Sequence, residues 1–161
     1  MFSRATAVFK MSQRTLITPV KTAAAPPPAA SYSQAIKVNG FIYVPGQIPY
    51  PPKNKPLSEN PTIAEQAEQV IQNVSNILEA SNSSLNHIVK ANIFLTDMKK
   101  QFGEFNGVYA KYFNEHKPAR SCVAVKELPL GVDLEMEVVA VADLAAAVQT
   151  IRDYKAGKPT V

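Results

Sequence analysis

Lys117-Pro118-Ala119-Arg120-Ser121-Cys122-Val123-Ala124-Val125 and, close behind it, Val132-Asp133-Leu134-Glu135-Met136-Glu137-Val138-Val139-Ala140-Val141 decide the fold. Pro118 disfavours helix at Lys117, and the residues after it alternate with period two, so Arg120, Cys122 and Ala124 share one face of a strand. That sets a fixed cation at the strand's mouth. In the second stretch Leu134, Met136, Val138 and Ala140 share one face, leaving Glu135, Glu137, Val139 and Val141 on the other. Charged residues are depleted in strands and costly to bury unpaired. An Arg and a pair of Glu on neighbouring strands therefore point either to a functional site or to an internal ion pair.

Working outward, Leu128-Pro129-Leu130-Gly131 joins the two strands. Upstream, Asp97 can cap a helix whose apolar stripe is Phe102, Phe105, Val108, Tyr109 and Phe113, ending near Asn114. Before it, Ile88 to Thr96 reads as a strand with Val89, Ala91, Ile93 and Leu95 toward the helices. Thr62 followed by Glu65 is a capping box, and behind it Ile63, Ala67, Val70, Ile71, Val74, Ile77 and Leu78 recur at helical spacing. Ser81-Asn82-Ser83-Ser84 stops that helix. Gln34 to Val38 and Phe41 to Val44 flank Asn39-Gly40, a two-residue hairpin signal, and the Pro-, Lys- and Asn-rich run from Tyr50 to Pro61 reads as a surface loop. The order is hairpin, helix, strand, helix, strand, strand, which predicts a mixed sheet with two helices packed on one face. The other face, carrying Val139, Val141 and Phe94 beside Glu and Arg, is expected to be buried against other copies of the chain.

The chain has 161 residues, enough for one domain with a real core. Its net charge of +4 is concentrated at the start: no Asp or Glu precedes Glu59, while Arg4, Lys10, Arg14 and Lys21 crowd the first stretch. Without those four, Lys plus Arg equals Asp plus Glu at thirteen each. A domain so balanced offers no basic surface to a phosphate backbone, so no nucleic-acid partner is expected. No apolar run approaches membrane-spanning length, and no membrane partner is expected. One cysteine and two histidines leave no metal cluster at ligand spacing.

Residues 1–21 have the acid-poor composition of a mitochondrial transit peptide, directing the protein to the matrix; the competing reading is a disordered basic tail. Initiation at Met11 would leave a cytoplasmic form. Residues 22–30, with Pro26-Pro27-Pro28, are expected to be a stiff linker, residues 31–142 the folded domain, and residues 143–161 an extension with a helix from Asp143 to about Tyr154.

Six separated stretches occur in a recognisable order: Ser31-Tyr32-Ser33-Gln34-Ala35, Gly46-Gln47-Ile48-Pro49, Gln72-Asn73-Val74, Phe105-Asn106-Gly107-Val108-Tyr109, Pro118-Ala119-Arg120-Ser121-Cys122 and Leu134-Glu135-Met136-Glu137. In these the chain resembles the RidA/YjgF family of imine deaminases, over about Pro27 to Val141, and looks most like its eukaryotic members. The resemblance implies an α+β, chorismate-mutase-like fold and a homotrimer with sites in the clefts between subunits. It also implies cofactor-free hydrolysis of reactive 2-imino acids, such as 2-iminobutanoate and 2-iminopropanoate, to 2-oxo acids and ammonia, sparing pyridoxal-phosphate enzymes from damage. The family's carboxylate-binding arginine falls on Arg120, its cysteine on Cys122 and its water-orienting glutamate on Glu135, while Tyr32, Gly46 and Asn106 match positions that line its pocket. Two departures stand out: Pro45 replaces the usual Ser before Gly46, and the tail from Asp143 runs past the usual family end.

These residue types suit that chemistry. A guanidinium can grip a carboxylate in two parallel charge-assisted bonds and stays protonated, so Arg120 suits the acid end of the substrate. Its bland alternative is a structural ion pair with Glu135 or Glu137. Glu135 would aim a water at the imine carbon and pass a proton to the departing amine, with Glu137 as rival on the same face. Cys122 with His116 as base is a weaker nucleophile reading, since a lone Cys is usually a small buried hydrophobe. Tyr32 either closes the pocket or is an ordinary core tyrosine. Two other functions compete with deamination: a ribonuclease or translation inhibitor, and a non-catalytic trimer binding small carboxylates.

Overall fold

The computed structural model describes residues 17–53 and 55–142. Strand β1 (Thr18–Val20) is followed by the hairpin β2 (Ala35–Val38) and β3 (Phe41–Gln47), helix α1 (Ile63–Glu79), strand β4 (Ile88–Leu95), helix α2 (Met98–Tyr112), β5 (Ala119–Ala124) and β6 (Leu134–Val141). The six strands form one sheet in the order β1-β2-β3-β6-β4-β5, antiparallel except for the parallel β4–β5 pair. Both helices lie on one face, as the periodicities predict.

The helix ends follow from their caps. Thr62 Oγ1 accepts the Glu65 amide at 3.2 Å while the Thr62 amide donates to Glu65 Oε2 at 2.8 Å, completing the capping box. Asp97 Oδ1 accepts from the Lys99 and Lys100 amides, at 3.1 and 3.2 Å, and so fixes the start of α2. Ile71, Val74, Ile77 and Leu78 from α1 and Phe105 from α2 pack on Ile42, Ala91, Ile93, Leu134 and Met136 of the sheet, all fully buried. Each such large side chain contributes about 1.5–3 kcal/mol of burial free energy. The hairpin turns on Asn39 and Gly40, both at positive φ (51° and 80°), the geometry an Asn-Gly pair favours. Asn73, fully buried, ties the following loop to α1 by donating to the Ile48 and Tyr50 carbonyls.

Three expectations are corrected. β4 does not alternate from its first residue: a bulge between Ile88 and Lys90 turns Ile88 inward and leaves Val89 exposed. Residues 22–30 are not a free linker, and the folded unit does not start at 31. β1 extends the sheet beyond β2, Ala25 is buried, and the Gln34 amide donates to the Thr22, Ala25 and Pro26 carbonyls while accepting the Thr22 N–H at 2.7 Å. Ala and Pro carry no periodic signal, so a segment held through its carbonyls reads as a linker. Finally, β5 and β6 are not neighbours, because β4 lies between them. Residues 1–16 of the expected leader and all of the expected extension at residues 143–161, with its helix, lie outside the described residues.

Candidate active site

The first group of site residues gathers where β3 meets β6. Val44 pairs with Val138 and Gln47 with Met136, so Pro45 and Gly46 together stand opposite the single residue Glu137. This is a β-bulge, a place where a proline without an N–H is tolerated, which accounts for Pro45. The bulge brings Gly46 against Glu135, and a β-carbon added to Gly46 would overlap the Glu135 carboxylate. Tyr32 is 49% exposed and not a core residue; its hydroxyl accepts the Ala29 amide at 3.1 Å, and it shares a small cavity with Gly46, Gln47 and Ile48. Burial, and secondarily the Glu137 carboxylate, push the Glu135 carboxyl above its ordinary value. Glu137 is engaged elsewhere: its Oε1 accepts from Asn92 Nδ2 at 2.8 Å. Of the two glutamates, Glu135 is thus the one set beside Gly46 without a hydrogen-bond partner of its own among the described residues.

The second group lies at the outer edge of the sheet. Arg120 stands opposite Ala91 and Cys122 opposite Ile93, on the face that carries the helices. Asn106 on α2 accepts from Arg120 Nη1 at 2.9 Å, and the guanidinium carbon lies 4.6 Å from the centroid of the Tyr109 ring and 5.7 Å from that of Phe102. Cys122 packs against the core; burial pushes its thiol up, and Arg120 only partly offsets this. His116 directs Nε2 at the Ile88 carbonyl, 2.6 Å away, so no Cys–His pair forms. Cys122 thus stands half-buried on the strand of Arg120, with no His partner among the described residues.

The two groups do not meet within one chain. Leu134 and Met136 pair with Leu95 and Ile93 on the helix face, whereas Glu135 pairs with Phe94 and Glu137 with Asn92 on the open face. Arg120 and the two glutamates consequently leave opposite faces of the sheet, with β4 between their strands. The expectation that Arg120 lies beside Glu on the open face is corrected, and with it the alternative of an ion pair between them within one chain. Among the described residues the ion pairs are Lys100–Asp97 and Lys111–Glu68, both on the surface. Also among the described residues, no three His, Cys, Asp or Glu side chains gather where they could hold a metal ion. Sequence reasoning assigned Phe102 and Tyr109 to the core stripe and missed their contact with Arg120. The available signal was Asn106, a polar residue at helical spacing between two aromatics.

Among the described residues no helix is long and apolar enough to cross a membrane. A family profile described as "Endoribonuclease L-PSP" matches residues 22–142. Protein MMF1, mitochondrial, of Saccharomyces cerevisiae is 67% identical over 127 residues, 79% of this chain and 86% of the relative. Protein HMF1 of the same yeast is 64% identical over 126 residues, 78% of this chain and 95% of the relative. The crystal structure of yeast Mmf1, at 66% identity, superposes with a TM-score of 0.76 over 80% of this chain and 100% of that one. Escherichia coli TdcF with bound serine gives a TM-score of 0.71 at 33% identity, over 78% of this chain and 99% of that one. Sequence match, sheet order and the two helices agree: the chain belongs to the endoribonuclease L-PSP family, the RidA/YjgF/RutC group.

Proposed function

We propose that the protein is a cofactor-free deaminase of 2-imino acids, 2-iminobutanoate and 2-iminopropanoate among them, acting as a homotrimer in the mitochondrial matrix and sparing pyridoxal-phosphate enzymes from these compounds. One observation carries the reading: among the described residues of a single chain Arg120 forms no ion pair, although two glutamates sit in the same sheet. A guanidinium free of ion pairs is available to a substrate carboxylate in two parallel bonds. Serine, the molecule bound to TdcF, carries such a carboxylate. The name of MMF1 supports the compartment.

Joining the two groups needs two copies of the chain. The open face offers the contact: Phe41, Tyr43 and Val123 are exposed on it, at 42%, 47% and 47%, around Val139 and Val141. Burying such a face in a closed ring removes it from water and brings the Glu135 group of one protomer toward the Arg120 group of the next. Arg120 then holds the carboxylate, and Glu135 accepts a hydrogen bond from water and aims its oxygen at the imine carbon. Addition forms a carbinolamine as Glu135 carries one water proton to the imine nitrogen. The new hydroxyl then gives its proton, again by way of Glu135, to the amine, the C–N bond breaks as the C=O bond forms, and a 2-oxo acid and ammonia leave. Assistance of this kind is worth about 10²- to 10⁴-fold.

The test generates 2-iminobutanoate freshly and follows ammonia release. The parent protein should accelerate it, and Arg120→Ala should abolish the acceleration while leaving the oligomer intact. An unchanged rate in Arg120→Ala overturns the assignment. RNA cleavage that co-purifies with the protein and is lost in Arg120→Ala would favour the ribonuclease reading instead, and 2-oxo acid binding without turnover the non-catalytic one.

A further inference from the structure

We infer that Asn106 and Tyr109 are positioning residues that hold the Arg120 guanidinium through contacts that are themselves neutral, so that neither of them spends the charge that meets the substrate carboxylate. The inference rests on the function proposed above and assigns what prepares the arginine for it. Phe102, Asn106 and Tyr109 stand at i, i+4 and i+7 of α2 and so share one helix face. That face meets Arg120 with one amide oxygen at 2.9 Å and two aromatic rings at 4.6 and 5.7 Å.

Each contact restrains the guanidinium without cancelling its charge. The Asn106 carboxamide accepts one N–H and stays neutral; an Asp of the same shape would form an ion pair and spend the charge internally. The rings attract the cation through their quadrupoles, which leaves the outward N–H groups free. Tyr109 is itself held rigidly, stacked on Phe113 at 4.2 Å between centroids and packed on Phe105 at 5.6 Å. Its hydroxyl is buried without a partner among the described residues, and burial pushes the phenol up, so no phenolate neutralises the arginine. The ring, and not the hydroxyl, is the working part.

The test is calorimetric binding of 2-oxobutanoate, a stable carboxylate product, to the full chain, with thermal melting of each variant. Arg120→Ala should lose binding. Asn106→Asp should bind about tenfold or more weakly while melting no earlier than the parent, because it gains an internal ion pair; a merely structural asparagine would not split the two readouts this way. Tyr109→Leu should weaken binding about three- to tenfold, and Tyr109→Phe, which keeps the ring, should restore it to within about twofold of the parent. Parent-like affinity in Asn106→Asp, or in Tyr109→Leu, alongside lost binding in Arg120→Ala, overturns the inference and leaves the proposed function standing. Parent-like affinity in Arg120→Ala overturns the carboxylate role itself. If Asn106→Asp does not fold, the Tyr109 pair decides.

Discussion

Gly46 has no room for a β-carbon because the Glu135 carboxylate occupies that space. The glycine is required by proximity and not by backbone angle, since among the described glycines only Gly40 and Gly131 have positive φ. Gly46→Ala should therefore displace Glu135 and lower kcat by about 10²-fold or more, the scale of losing an acid-base group. Added to Glu135→Ala it should change activity little further, because both substitutions remove one function. Imine turnover of the single and double variants checks this.

Arg120 and Glu135 on opposite sheet faces give a sharper prediction. Neither Arg120→Ala nor Glu135→Ala should be active alone. Co-expressed, they should assemble mixed rings in which about a quarter of the sites draw an intact Arg120 from one chain and an intact Glu135 from its neighbour. Recovery of activity to about that fraction supports a shared site; no recovery in verified mixed oligomers argues for a site within one chain.

In the single chain burial and Glu137 raise the Glu135 carboxyl, and that direction gives the expected sign of two pH effects. Turnover needs the ionised form, so the acid limb of the rate profile should lie above the ordinary carboxylate value. Glu137→Gln removes the like charge and should move that limb to lower pH. For stability, the folded state holds this proton more tightly than the unfolded chain does. The contribution is present below the unfolded value and is lost as pH rises through the folded one. Glu135→Gln should accordingly raise Tm at neutral pH more than at pH 4, as melting at the two pH values will show.

Gln34 should matter to stability out of proportion to its size. It is 4% exposed, and its amide satisfies three backbone carbonyls and one backbone N–H. Gln34→Ala leaves these groups without partners, at about 1–3 kcal/mol for each that stays buried. The expected result is a lower Tm and faster amide exchange across β1, measured by hydrogen exchange.

The parts of the molecule with local signatures were legible in the sequence. The capping box at Thr62 and Glu65, the Asn39-Gly40 turn and the alternation of Leu134 to Val141 each fix their own geometry from within a few residues. The face on which Arg120 lies was not legible relative to Glu135. Alternation assigns faces within a strand, but the phase between β5 and β6 passes through β4, whose bulge and register no local pattern reveals. The contact of Tyr109 with Arg120 was hidden for a related reason: an aromatic at core spacing looks the same whether its ring meets an aliphatic chain or a cation. β1 escaped because three residues including a proline, held by side-chain bonds to their successors, leave no periodic trace.

That short strand also limits how the chain can be matured. Val20 is buried, and Thr18, Pro19 and Val20 pair with Lys37, Ile36 and Ala35, so the rim of the sheet starts at Thr18. Any peptidase that trims the amino-terminal side must stop short of this point. A cut at residue 21, where composition alone would set it, would strip an outer strand, uncover the backbone of β2 and invite the freed rim to recruit foreign strands.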